Sequence, residues 1–94
     1  MGFHTVKKRL LEALRAGTFM HEARHAISSK NLLLMGEVTV SQVIHLVNKC
    51  TGLDHQSAPH HFLKNIEIHI LKKDGWYIKF YILEPDVWFI SVHQ

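Results

Sequence analysis

The chain has 94 residues, with 11 Lys and Arg against 8 Asp and Glu, nine His and a single Cys. A chain this short buries little more than half of the surface it exposes unfolded, so residues 1–94 make one domain with one modest core, and a second domain is excluded. The formal charge of +3 attracts polyanions without sequence preference, the lone Cys50 suits a reducing cytoplasm, and neither an export signal nor the roughly 18 apolar residues of a membrane span is present.

From Thr5 to Ala16, Val6, Leu10, Leu11 and Leu14 fall on one helical stripe while Lys7, Lys8 and Arg15 turn away. Thr5 can cap this helix and Gly17 can end it. Residues Thr18 to Met35 read as a short extended piece followed by a helix carrying Ala23, Ala26, Ile27 and the Leu32-Leu33-Leu34 run, with Ser28, Ser29 and Asn31 weakening it. Thr39-Val40-Ser41-Gln42 has the form of a capping box, and Val43, Ile44, Leu46 and Val47 continue an amphipathic helix to about Lys49. Cys50 then reads as a small apolar residue at a helix end. Thr51 to His61 holds Gly52, Asp54, Ser57, Pro59 and three histidines, a composition expected of a loop joining two halves.

The period then changes to two. Ile66, Ile68 and Ile70 alternate with Glu67, His69 and Leu71, and Lys72-Lys73-Asp74-Gly75 supplies a hairpin turn. A second strand, Trp76 to Leu83, sets Trp76, Ile78, Phe80 and Ile82 against Tyr77, Lys79 and Tyr81; Glu84-Pro85-Asp86 turns the chain, and Val87 to His93 forms a third. The expected fold is α+β: N-terminal helices packed on a C-terminal antiparallel sheet of three or more strands, since one core requires the sheet's apolar face to lie under the helices. Tyr77, Lys79 and Tyr81 share the other face of the second strand, Ser91 and His93 alternate away from Ile90 and Val92, and where these polar sides coincide Tyr77, Lys79 and His93 make a wet, basic patch with His55, His60 and His61 at its rim. Taken without further context, such a face is the solvated side of a two-layer domain. Trp76 and Trp88 read as packing residues, although an exposed Trp88 can stack on a nucleobase.

The segment from His60-x-x-x-Lys64 through Trp76-Tyr77-Ile78-Lys79-Phe80 to Val87-Trp88-Phe89-Ile90-Ser91-Val92-His93 resembles the end of MqsR-type toxins of the RelE-like superfamily. Those proteins carry His-x-x-x-Gln, then a Tyr-hydrophobic-Lys-hydrophobic strand, then an apolar strand ending Ser-Phe-Lys, and their elements follow the same order. The resemblance implies a RelE-like two-layer fold and a metal-independent endoribonuclease without cofactors. It further implies action on mRNA, free or on the ribosome, in a bacterial cytoplasm, with a cognate antitoxin protein as partner and a homodimer as an assembly to consider. Carried over by position, His60, Lys64, Tyr77 and His93 are the catalytic candidates, and His61, Lys79, Tyr81 and Ser91 the RNA-binding ones. Lys64 stands where the family has Gln and His93 where it has Lys, and the family's loop lysine has no gap-free counterpart, Lys49 being the nearest. Cleavage of this kind takes a base for the 2′-OH, a cation beside the charged phosphorane and an acid for the leaving 5′-oxygen, and imidazole suits both proton roles.

Two other readings stand beside this one. His21-Glu22-x-x-His25 spells the zinc-hydrolase motif, in which two histidines one helical turn apart hold the metal and the glutamate activates water. A chain with nine His matches it easily by chance; the sheet follows the motif instead of preceding it, and only His45 and Glu37 offer a third ligand. The remaining reading is a non-catalytic RNA- or protein-binding module on the same fold, which the replacements at Lys64 and His93 favour.

Overall fold

A computed structural model describes residues 2–22 and 30–94. Helix α1 (Phe3–Ala16) buries Val6, Leu10, Leu11, Ala13 and Leu14. It begins at Phe3, with Gly2 at the cap position and no side-chain cap, so Thr5 is not its cap. Gly17 ends it in the left-handed region at φ 72°, where a side chain would be strained. Helix α2 (Val40–Lys49) starts with the expected capping box: the Gln42 N–H donates to Thr39 Oγ1 and the Thr39 N–H to Gln42 Oε1. At its other end the Lys7 ammonium donates to the carbonyls of Asn48 and Cys50, partnering C-terminal acceptors that the helix itself leaves open. The Cys50 thiol is buried and bonds the Leu46 carbonyl.

Five strands form one mixed sheet in the order β1-β5-β4-β3-β2. They are β1 (Phe19–His21), β2 (His55–Pro59), β3 (Glu67–Lys73), β4 (Trp76–Leu83) and β5 (Asp86–His93). The meander β3-β4-β5 is the one read from the period-two pattern, and the Asp74-Gly75 turn has positive φ at both residues, as a tight hairpin requires. Two strands extend it. The short extended piece expected after Thr18 becomes β1, parallel to β5. The supposed loop folds as a 3-10 turn, Gly52–Asp54, and strand β2, antiparallel to β3. Its polar composition hid it because an edge strand needs only one neighbour and leaves Gln56 to Pro59 exposed. Of the helix expected after β1, residues 23–29 lie outside the described residues; Leu32–Gly36 forms turns, anchored by buried Asn31, which bridges Val92 and accepts the Leu34 N–H on Oδ1.

The helices cover one face of the sheet, where Leu71, Ile78, Phe80, Ile82, Val87, Phe89 and Val92 meet Val6, Leu10, Leu14, Val43 and Val47. Ile68 and Ile70 point the other way. With Tyr81, Trp88, Ile90, Leu63 and Ile66 they form a second cluster on the opposite face, so the isoleucine stripe of β3 is not the helix-facing one. Between β4 and β5 the register shifts: Phe80 pairs with Phe89 but Lys79 with Ser91, leaving Ile90 as an extra residue.

The helix side of the sheet also holds an imidazole pair, His69 buried and His55 half-buried. His55 Nε2 and His69 Nδ1 lie 3.0 Å apart across β2 and β3, their rings stacked, and Phe3 of α1 packs on His55. Burial first, and the neighbouring His55 second, push the His69 pKa down to about 4; burial lowers that of His55 as well. The unfolded chain therefore binds a proton here that the fold refuses. Stability should fall as pH drops from about 6.5 to about 4, by about 3 kcal/mol for His69, and urea denaturation at pH 7 and pH 4.5 measures the loss. His69→Leu should flatten that part of the curve, and an unchanged slope would refute the assignment. Independently, Thr39→Ala should cost about 1 kcal/mol in the same assay by opening the α2 cap.

Candidate nucleic-acid interface

The antiparallel pairing of β3, β4 and β5 fixes which side chains meet on the face away from the helices. Tyr77 pairs with His93 on one side and Lys72 on the other. The Tyr77 and His93 rings stack at 5.0 Å with 21° between their planes, and the Lys72 ammonium lies 5.9 Å from the centre of the Tyr77 ring. Tyr77 and His93 are half-buried and Lys72 exposed. Lys79, also half-buried, comes next along β4, beside Ser91 and Ile70. A phenol, an imidazole and an ammonium thus share one accessible end of the sheet.

The electrostatics there favour an anion. Asp74 is bound by Lys49 at 2.8 Å and Asp54 lies 3.5 Å from Lys73, and both carboxyls are held below their ordinary range, Asp74 chiefly by Lys49 and Asp54 chiefly by the Thr51 N–H. Among the described residues, Lys72 and Lys79 carry no such carboxylate partner. A surface hollow of about 480 Å³ runs from Asp54 past Lys72 to Tyr77. The His93 Nδ1 lies 3.0 Å from the Gln94 main-chain oxygen, which can only accept, so in the neutral ring this contact puts the proton on Nδ1 and leaves the lone pair on Nε2.

His60 has the opposite arrangement. Its Nδ1 accepts the N–H groups of both Phe62 and Leu63, at 3.0 and 3.1 Å, so its proton sits on Nε2, which lies 3.7 Å from the Glu22 carboxylate. The side chain is 3 % exposed and its ring meets Tyr81 edge-on at 4.8 Å. The structure does not bring His60 to the Tyr77 end: Tyr81, which its ring meets, lies four positions along β4 from Tyr77, about 13 Å of strand, and His60 is buried. Tyr81 and Ser91 are covered in this structure, 5 % and 6 % exposed. Lys64 and His61 are exposed on the loop at the His60 end, away from Tyr77. Of the eight residues singled out by the sequence, Tyr77, His93 and Lys79 are brought together on accessible surface. Lys72 was missed, although the two-residue hairpin turn at Asp74-Gly75 places it opposite Tyr77 by counting alone.

The zinc motif does not form as a helical pair. His21 ends strand β1, its Nδ1 is 2.9 Å from the Asn31 side-chain amide, and burial lowers its pKa. Glu22 faces His60, and His25 lies outside the described residues. His45 and Glu37 are both exposed, and among the described residues no group of three His, Cys, Asp or Glu could hold a metal ion. No helix among the described residues is long and apolar enough to cross a membrane. No family model, no curated protein and no solved structure matches this chain.

Proposed function

We propose that this protein is an mRNA-cleaving endoribonuclease of the RelE-like, MqsR-type toxin class, working without a metal in the cytoplasm and held in check by a cognate antitoxin. The observation that carries the reading is the Tyr77–His93 stack beneath the Lys72 ammonium. His93 Nε2 takes the proton from a ribose 2′-OH, and the oxygen attacks the adjacent phosphorus. Lys72, with Lys79 further along the strand, stabilises the charge of the phosphorane, and the Tyr77 hydroxyl lies beside the leaving 5′-oxygen as its proton donor. The products are a 2′,3′-cyclic phosphate and a free 5′-hydroxyl. A modest net charge of +3 serves the encounter with RNA rather than sequence choice.

One observation favours a second reading, that of a non-catalytic RNA- or protein-binding module: among the described residues this end of the sheet presents one imidazole, His93, the other expected one, His60, being buried. Incubation of the purified protein with mRNA in the presence of a chelator decides between them. Cleavage should leave cyclic-phosphate ends and fall about 100-fold in His93→Ala and about tenfold or more in Tyr77→Phe and Lys72→Met, with thermal stability unchanged. Binding without cleavage selects the module, and equal cleavage by all three variants rejects the site.

A further inference from the structure

The loop between β2 and β3 crosses the face opposite the helices, and one ring holds it there. The His60 N–H donates to the Ile66 carbonyl and closes the loop base; His60 Nδ1 then accepts the N–H groups of Phe62 and Leu63. Asn65 takes a left-handed conformation at φ 62° to complete the turn. Leu63 and Ile66 rest on the second apolar cluster, but Phe62 at the tip is 83 % exposed. The tip therefore contributes little to closure, which falls to the imidazole and two aliphatic side chains. Against the loop lies an open hollow of about 560 Å³, lined by residues of the segment from Pro59 to Glu67 and not by Tyr81 or Trp88. The floor of the covered face is aromatic: Tyr81 and Trp88 lie parallel, 4° apart with centroids 6.3 Å apart, and Trp88 is half-buried.

We propose that residues 61–65 are a lid, latched by His60, over a nucleobase site whose floor is the Tyr81–Trp88 pair. The inference rests on the reading of the protein as one that handles single-stranded RNA, and it extends that reading to a second position on the strand. The Tyr77 end holds the scissile phosphate. Trp88 lies five residues before His93 on β5, about 15 Å of strand, which is the reach of two to three nucleotides. Lys79 lies between the two ends for an intervening phosphate, and Lys64 is exposed on the lid. With the lid raised, the Trp88 indole takes a base by stacking, which tolerates any base.

The test uses the Trp76→Phe protein, in which Trp88 is the sole tryptophan, with hexa-adenylate as probe. In His60→Ala the Phe62 and Leu63 amides should exchange hydrogen at least about tenfold faster. His60→Gln, whose side-chain oxygen can accept the same N–H groups, should recover part of the protection. Hexa-adenylate should quench Trp88 emission, bind more tightly to His60→Ala than to the parent, and bind Trp88→Leu about tenfold more weakly. Unchanged amide exchange in His60→Ala overturns the latch, and unquenched Trp88 at saturating hexa-adenylate overturns the site. Quenching without Tyr77-dependent cleavage in the same preparations keeps the lid and removes the nuclease reading. Tyr77-dependent cleavage with Trp88 unquenched does the reverse.

Discussion

The extra residue in β5 is the constraint on which both layers depend. Strict alternation along a strand would put Phe89, Ser91 and His93 on one face. Phe89 is needed under the helices, where it is fully buried against Phe80 and Phe19, while His93 stacks on Tyr77 on the far side. Ile90 resolves the conflict: by occupying a bulge it lets Phe89 pair with Phe80 and His93 pair with Tyr77. A sheet without it would have to choose between a filled core and an assembled cluster. Bulges of this kind re-aim side chains at the cost of one unpaired residue, and here the residue displaced, Ile90, is itself buried in the second cluster.

The two histidines that the sequence placed in the same role are separated by their hydrogen bonds. Each uses Nδ1, but His93 has a main-chain oxygen beside it and His60 has two N–H groups. An acceptor oxygen demands a protonated nitrogen and an N–H demands a bare one, so the two neutral rings hold opposite tautomers. The ring with its lone pair outward lies at the surface. The other is buried, its Nε2 3.7 Å from the Glu22 carboxylate.

What could be read from the chain follows from what is local. The capping box of α2, the Gly17 stop of α1 and the Asp74-Gly75 turn are encoded within a few residues each, and all three are present. The meander was legible because its turns are short and its alternation clear. β2 was not, since Gln56, Ser57 and Ala58 show no apolar alternation and become a strand through the pairing offered by β3. Nor were the burial of His60, Tyr81 and Ser91, because a loop folding back across a sheet face leaves no periodic trace. Period-two reasoning put Tyr77, Lys79 and His93 on one face, and the register of the sheet does so too, but it could not foresee that a bulge supplied the parity.

The short Asp74-Gly75 connection has a wider consequence. Lys72, Tyr77 and His93 all belong to the continuous stretch β3-β4-β5, whose strands are sequential neighbours in the sheet. Their mutual placement is set by two hairpins and needs no distant part of the chain to define it. Contacts so near in sequence carry a small loop-closure cost. The helical half supplies the apolar mass that covers one face of this three-stranded unit.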